Sequence, residues 1–350
     1  MKINKLYISL TLIGINITFL SFKEDPNKKI TLKDITFTNP KGFPKPNYNF
    51  DNNKLSVEKF ILGKTLFYDN ILSKDNSVNC GTCHQQFAAF AHIDHKLSHG
   101  IYAKIGTRNV PALQNLIWKD SYMWDGGVNN LEVQPINPII NPIEMDETIE
   151  NVLIKLKKDS TYVSLFKKAY KDTIINSQRL LKSLAQFTGL LISVNSRYDK
   201  YMNKKDTFSI SEKNGLKLFK TKCANCHTEP LFTDNSYRNN GIKIDTLLND
   251  SGRGKITGIE KDNQTFKVPS LRNIEITYPY MHDGRYKTLL QVLNHYSDTT
   301  NFEKNEDTSL HKIGHLTLVE KTDIIAFLKT LTDRAFLYDK RFSDPFVRYN

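Results

Sequence analysis

Two five-residue runs, Cys80-Gly81-Thr82-Cys83-His84 and Cys223-Ala224-Asn225-Cys226-His227, use every cysteine in the chain. A Cys-x-x-Cys pair followed at once by His is the attachment pattern of a c-type haem. The two thiols bond the porphyrin edge, and the imidazole turns back to ligate iron. Two such runs with no thiol left over point to two covalent haems and to redox chemistry. Zinc is the rival occupant of paired cysteines. Zinc ribbons, however, set their two knuckles much closer together, and neither knuckle needs a His beside it.

Each motif follows a segment patterned as a helix. Glu58-Lys59 leads to Leu62-Gly63-Lys64-Thr65-Leu66-Phe67 and then to the first motif; Glu212-Lys213 leads to Gly215-Leu216-Lys217-Leu218-Phe219 and then to the second. This faint repeat suggests two haem modules related by duplication. Ser209-x-x-Glu212 is a capping-box start for the second of these helices. Apolar residues at helical spacing predict further helices over 147–157, 160–170, 177–194, 288–296 and 319–331. Alternating Val/Ile/Thr runs are scarce, and 121–146 and 235–285 read as loops. The expectation is a mainly α fold: two cytochrome-c-like haem domains with long loops, 23–205 and 206–350. The boundary falls in the polar stretch from Asp199-Lys200 to Lys204-Lys205-Asp206.

The chain has 350 residues, 39% of them hydrophobic and 25% charged, which suits two ordinary globular domains. Its formal net charge is +12. The basic residues are dispersed, and Lys155, Lys157 and Lys158 stand among acidic neighbours, so a solvated basic face is expected and no nucleic-acid site. Such a face suits steering of an acidic electron-donor protein. Lys2 and Lys5, an uncharged stretch from Leu6 to Leu20, and Lys23-Glu24-Asp25 read as an export signal over 1–22, an uncleaved anchor being the alternative. No apolar run after it reaches the ~18 residues of a membrane span. Export to the periplasm agrees with covalent haem attachment.

Five more runs occur in order: Gly106-Thr107-Arg108-Asn109-Val110-Pro111, Trp124-Asp125-Gly126, Asn141-Pro142-Ile143-Glu144-Met145, Val268-Pro269-Ser270-Leu271-Arg272-Asn273 and Pro279-Tyr280-Met281-His282-Asp283-Gly284. With the haem motifs they resemble the bacterial di-haem cytochrome c peroxidase family, which includes the MauG-type enzymes, from about Leu55 to Leu331. The resemblance implies a peroxidase that reduces hydrogen peroxide to water with electrons from a small cytochrome or copper protein. It implies that His84 and His227 are the proximal iron ligands and that Trp124 relays electrons between the haems. Gln134 and Glu144 would face the open side of the first haem, with Glu144 as the acid and base of peroxide cleavage.

The same resemblance makes Asn109 a calcium ligand beside the backbone carbonyls of Lys267 and Pro269. It gives the second haem a sixth ligand two residues after His-x-Gly. That residue is Tyr286, as in MauG-type enzymes rather than the Met of peroxidases, with Met281 as the alternative. A His displaced from the first haem on activation would be His99, with His92 and His95 as alternatives and a plain surface role for each the simpler reading. Read from the residues alone, Trp124 is first a core plug, Glu144 equally a solvated loop residue, and Asn109 a turn residue. Relatives of this kind are often dimers. The rivals in function are a MauG-like oxidase of a partner protein and a plain two-haem electron carrier.

Overall fold

The computed structural model describes residues 30–297 and 305–347; the stretch read as an export signal lies outside the described residues. Among those described, helices dominate. The only strands among the described residues are Tyr237–Arg238 and Phe266–Lys267, which pair antiparallel with Tyr237 opposite Lys267.

Two helix crossings carry the architecture. Helix Val57–Tyr68 begins at Ser56, whose hydroxyl accepts the Lys59 N–H. It packs across helix Ser177–Gly189. Gly63 permits that contact, because a Cβ there would lie 1.9 Å from the Ser183 carbonyl oxygen. Helix Ile210–Lys222 packs in the same way across helix Leu318–Lys329. A Cβ on Gly215 would lie 1.9 Å from the Asp323 carbonyl oxygen. Phe187 and Phe327, each four residues beyond the contacted carbonyl, cover the two glycines. The sequence repeat is thus one crossing built twice.

Aromatic rings fill the space beside each crossing. Phe60 and Phe67 pack on Phe187 in the first half, and Phe219 and Phe232 pack on Phe327 in the second. All six rings are buried, and each burial contributes about 1.5–3 kcal/mol.

The expected helices are found as Ile149–Lys158, Ser160–Tyr170, Ser177–Gly189, Leu289–Ser297 and Leu318–Lys329. The capping box at Ser209 and Glu212 is also present. The third helix stops at Gly189, short of the expected 194. Beyond it, Leu191 and Ser193 exchange hydrogen bonds with Asn115 instead of continuing the helix. The loop 121–146 contains a short helix, Ile136–Ile140. The polar stretch expected to be a boundary begins inside helix Arg197–Met202, because Ser196 caps that helix and Asp199 is drawn inward by Arg272.

Arg272 has no exposed surface. Its guanidinium donates to both Asp199 carboxylate oxygens, at 2.8 and 2.9 Å, and to the Pro230 carbonyl. Earlier in the chain, Arg108 pairs with Asp250 at 2.6 Å and with Asp125 at 2.5 Å. The C-terminal segment then runs back onto the first crossing. Tyr68 donates to the Phe342 carbonyl at 2.7 Å, Gln86 donates to the Asp339 carbonyl at 2.8 Å, and Phe336 and Phe342 join the rings of Phe90 and Phe187.

Candidate active site

The second Cys-x-x-Cys-His run follows directly on its crossing helix, the first follows after the turn Asn70–Leu72, and the two histidines are held alike. The ring of His84 meets the Phe90 carbonyl at 2.7 Å through Nδ1; that of His227 meets the Phe232 carbonyl at 3.1 Å. A carbonyl only accepts, so each Nδ1 carries the proton and each Nε2 keeps its lone pair. Phe90 and Phe232 both sit in the left-handed region, at φ 61° and 56°. That conformation is uncommon for a bulky residue, and in both halves it belongs to the residue whose carbonyl holds the ring. Burial pushes His84 down to about 4 and His227 in the same direction. Both rings are therefore neutral, as an iron ligand must be.

The four thiols are free. Burial pushes Cys80 and Cys223 up to about 12 and Cys83 to about 11, and Cys226 moves the same way. Among the described residues no group of three or more His, Cys, Asp or Glu side chains is placed to hold a metal ion. Cys223, Cys226 and His227 line a cavity of about 240 Å³ with walls built largely from Phe219, Leu289, Leu293, Leu310, Ile324 and Leu328. Paired thiols, a neutral imidazole and an apolar slot fit a covalently attached haem.

Around the first motif the Asn141–Met145 loop comes close. The Glu144 carboxyl lies near enough to both Cys80 and Cys83 to raise their thiols. Its own pKa is raised by burial, against a hydrogen bond from Asn141 at 3.1 Å. Two contacts fix the loop. Ile101 N–H donates to the Glu144 carbonyl at 2.8 Å, and Lys104 Nζ donates to the Pro142 carbonyl at 2.8 Å. Gly100 packs flat on it, with no room for a side chain. Gln134 leads into helix Ile136–Ile140 and donates to Met123 Sδ at 3.7 Å.

Trp124 stands on the wall of the cavity at the second motif (the second cavity). Its indole donates to the Asn109 carbonyl at 2.8 Å, and its own carbonyl accepts the Lys267 N–H at 2.7 Å. Asn109, Lys267 and Pro269 line the same cavity, but the Asn109 amide donates to Lys96 and the Pro269 carbonyl approaches His227. His92, His95 and His99 gather into one cluster. His92 Nε2 lies 3.2 Å from His95 Nδ1, and the His95 and His99 rings are 4.2 Å apart. The Cys83 thiol donates to the His99 carbonyl at 3.3 Å.

Tyr286 is not among the residues that line the second cavity, whereas Met281 and Tyr296 are. Tyr286 is instead bound by its backbone to Tyr280, with its ring beside His295. Tyr296 belongs to helix Leu289–Ser297, and Leu289, Val292, Leu293 and Tyr296 form its cavity face. Burial pushes the Tyr296 hydroxyl up to about 12, against a hydrogen bond from Asn240. Asn240 also donates to Met281 Sδ at 3.4 Å. The signal for Tyr296 was present in the sequence as the helical stripe 289, 292, 293, 296.

Residues 57–207 match the family described as di-haem cytochrome c peroxidase, and residues 212–332 match cytochrome c. The chain is 34% identical to the methylamine utilization protein MauG of Methylorubrum extorquens, over 84% of this chain and 83% of that protein. It is also 34% identical to the cytochrome c551 peroxidase of Nitrosomonas europaea, over 77% of this chain and 79% of that protein. Among solved structures, a MauG-like protein associated with microbial copper homeostasis superposes with a TM-score of 0.81 at 30% identity, covering 89% of this chain and 99% of that one. With its two cytochrome c-type domains, the chain belongs to the di-haem cytochrome c peroxidase family, whose relatives carry both peroxidase and MauG names.

Proposed function

We propose that this protein reduces hydrogen peroxide to water, taking two electrons from a small donor protein and two protons. The observation that carries this reading is the Glu144 carboxyl, desolvated and fixed beside the first Cys-x-x-Cys pair. Haem iron, when bound, supplies the site where peroxide coordinates and accepts the electrons. With haem bound, Glu144 would move a proton from one peroxide oxygen to the other, so that the oxygen it protonates can leave as water. Its raised pKa suits a group that must hold and release a proton in turn. Gln134 orients the peroxide. Cys80, Cys83 and His84 hold the reactive haem; Cys223, Cys226 and His227 hold its electron partner. Trp124, in the wall of the second cavity, relays electrons between them. A carrier with two closed haems would need no carboxyl there.

Tyr296, rather than Tyr286, is the oxygen ligand we assign to the second haem, on the strength of its place on the cavity face; Met281 is the rival on the same wall. An oxygen ligand favours ferric iron more than a thioether does. That choice favours a second reading, a MauG-like oxidase of a partner protein. A calcium ion at Asn109, with the carbonyls of Lys267 and Pro269, belongs to the proposal, as do export to the periplasm, division near 205 and a homodimer.

The deciding experiment adds peroxide to holoprotein with and without reduced cytochrome c. Rapid oxidation of the cytochrome supports the peroxidase. A long-lived oxidised species that ignores cytochrome selects the oxidase reading, and two low-spin haems inert to peroxide would overturn both.

A further inference from the structure

Four cationic side chains line the cavity beside His227: Lys119, Lys222, Arg238 and Lys267. Two of them are paired with carboxylates and a third is hydrogen-bonded to a backbone carbonyl. Arg238 pairs with Asp234 at 2.8 Å and Asp307 at 2.6 Å. Lys267 pairs with Asp120 at 2.8 Å, and Lys222 donates to the Ile313 carbonyl at 2.5 Å. Asp307, a carboxylate in the lining, is therefore already engaged.

Lys119 is different. It is fixed at the end of the turn Leu116–Trp118, where its N–H donates to the Leu116 carbonyl. Its amine has no hydrogen-bond or ion-pair partner among the described residues, and burial, with the like charge of Lys267 nearby, pushes it down to about 8. The side chain is half-buried, and an unmatched ammonium beside the like charge of Lys267 calls for an anion. Its charge also reaches His84, on the other motif. Lys119 thus lines the cavity beside the second motif, as Trp124 does, while its charge reaches His84 of the first.

A haem attached through Cys223 and Cys226 brings two propionate carboxylates into this slot. We infer that Lys119 is the counter-cation of one of those propionates and that its charge raises the reduction potentials of the haem pair, the second haem more than the first. The inference rests on the haem-binding reading of the cavity. It adds a positioning residue that sets how the two haems share an electron.

The test is redox titration, followed by absorption, of holoprotein carrying Lys119→Gln or Lys119→Arg, after haem is counted. With two haems bound, K119Q should shift the second haem's reduction equilibrium about tenfold towards the ferric form, ~59 mV for one electron. The first haem should shift less, and K119R should stay close to wild type. Loss of the second haem in K119Q but not in K119R also supports the pairing, because charge alone separates the two variants. Unchanged potentials in K119Q with both haems bound would overturn it. If neither variant loads, the wild-type protein decides. A potential that is flat from pH 7 to ~9 indicates a paired ammonium, and one that falls through about 8, where the unpaired amine titrates, refutes the pairing. Wild-type protein with fewer than two haems would instead strike at the haem reading itself.

Discussion

Gly100→Ala should disable the enzyme without touching a haem ligand. Gly100 has extended backbone, φ −120° and ψ −161°, which alanine adopts freely. On conformational grounds alone the change would be neutral or would stabilise by ~0.4–1 kcal/mol. Sterically it is not neutral. The new Cβ would stand 1.8 Å from the Ile143 carbonyl oxygen and 2.5 Å from that of Glu144. Reaching even a tight 3.0 Å contact requires a relative shift of about 1.2 Å. Both obstructing atoms are backbone, so no side chain can swing aside.

That shift pulls apart the 2.8 Å bond from Ile101 N–H to the Glu144 carbonyl and carries the carboxyl with it. A displacement of ~1 Å in a reacting group costs about 10²-fold in rate, and overpacking of this kind costs about 1–3 kcal/mol of stability. The assay pairs steady-state peroxide turnover, with reduced cytochrome c as donor, with urea unfolding. Haem content should stay at the wild-type value, because both thiols and the histidine of each motif are retained. Wild-type turnover together with wild-type stability would refute the packing argument. A loss of stability with unchanged turnover would detach Glu144 from the chemistry.

Glu144→Gln should keep both haems and lower turnover by ~10²–10⁴-fold. In the wild type the rate should fall with acid through a pKa above the ordinary ~4.3 of a Glu, because burial raises this carboxyl and protonation removes the base; an unshifted pH profile would oppose the assignment. Tyr296→Met should raise the second haem's potential and change its ferric spectrum, whereas Tyr286→Met should do neither; the opposite outcome restores Tyr286. Asp199→Asn leaves Arg272 buried beside a neutral amide and should cost ~3–5 kcal/mol in urea unfolding. Burial works to raise Asp199, but Arg272 outweighs it and holds the carboxyl below its usual range. The pair's stabilisation is therefore full above the unfolded pKa of ~3.9 and is lost as pH falls through the lower folded value, a dependence that D199N should flatten.

Much of this was legible because it is local. The spacing of Cys, Cys and His within five residues needs no fold to interpret it. Helix starts at Ser56 and Ser209 follow from side chains that reach only three residues ahead. The Glu144 loop could be singled out through its resemblance, but not its neighbours. That Gly100 backs it depends on two loops meeting in space, and a lone glycine before Ile101 carries no sign of it. Tyr296 shows the same limit. Its helical stripe was readable, yet which of two nearby tyrosines faces the cavity depends on how helix Leu289–Ser297 is turned against Leu318–Lys329. Lys119 had no motif around it, and only the cavity reveals that its charge is unmatched.

The C-terminal segment that returns to Tyr68, Phe90 and Phe187 has a consequence for how the protein is made. The first module is the first to leave the ribosome, yet its aromatic cluster lacks Phe336 and Phe342 until the last residues arrive. The first module's aromatic cluster is therefore completed only when the chain beyond Phe336 has been made. Order of synthesis and order of completion are opposed, and a chain cut short before Phe336 would leave its oldest half the less finished one.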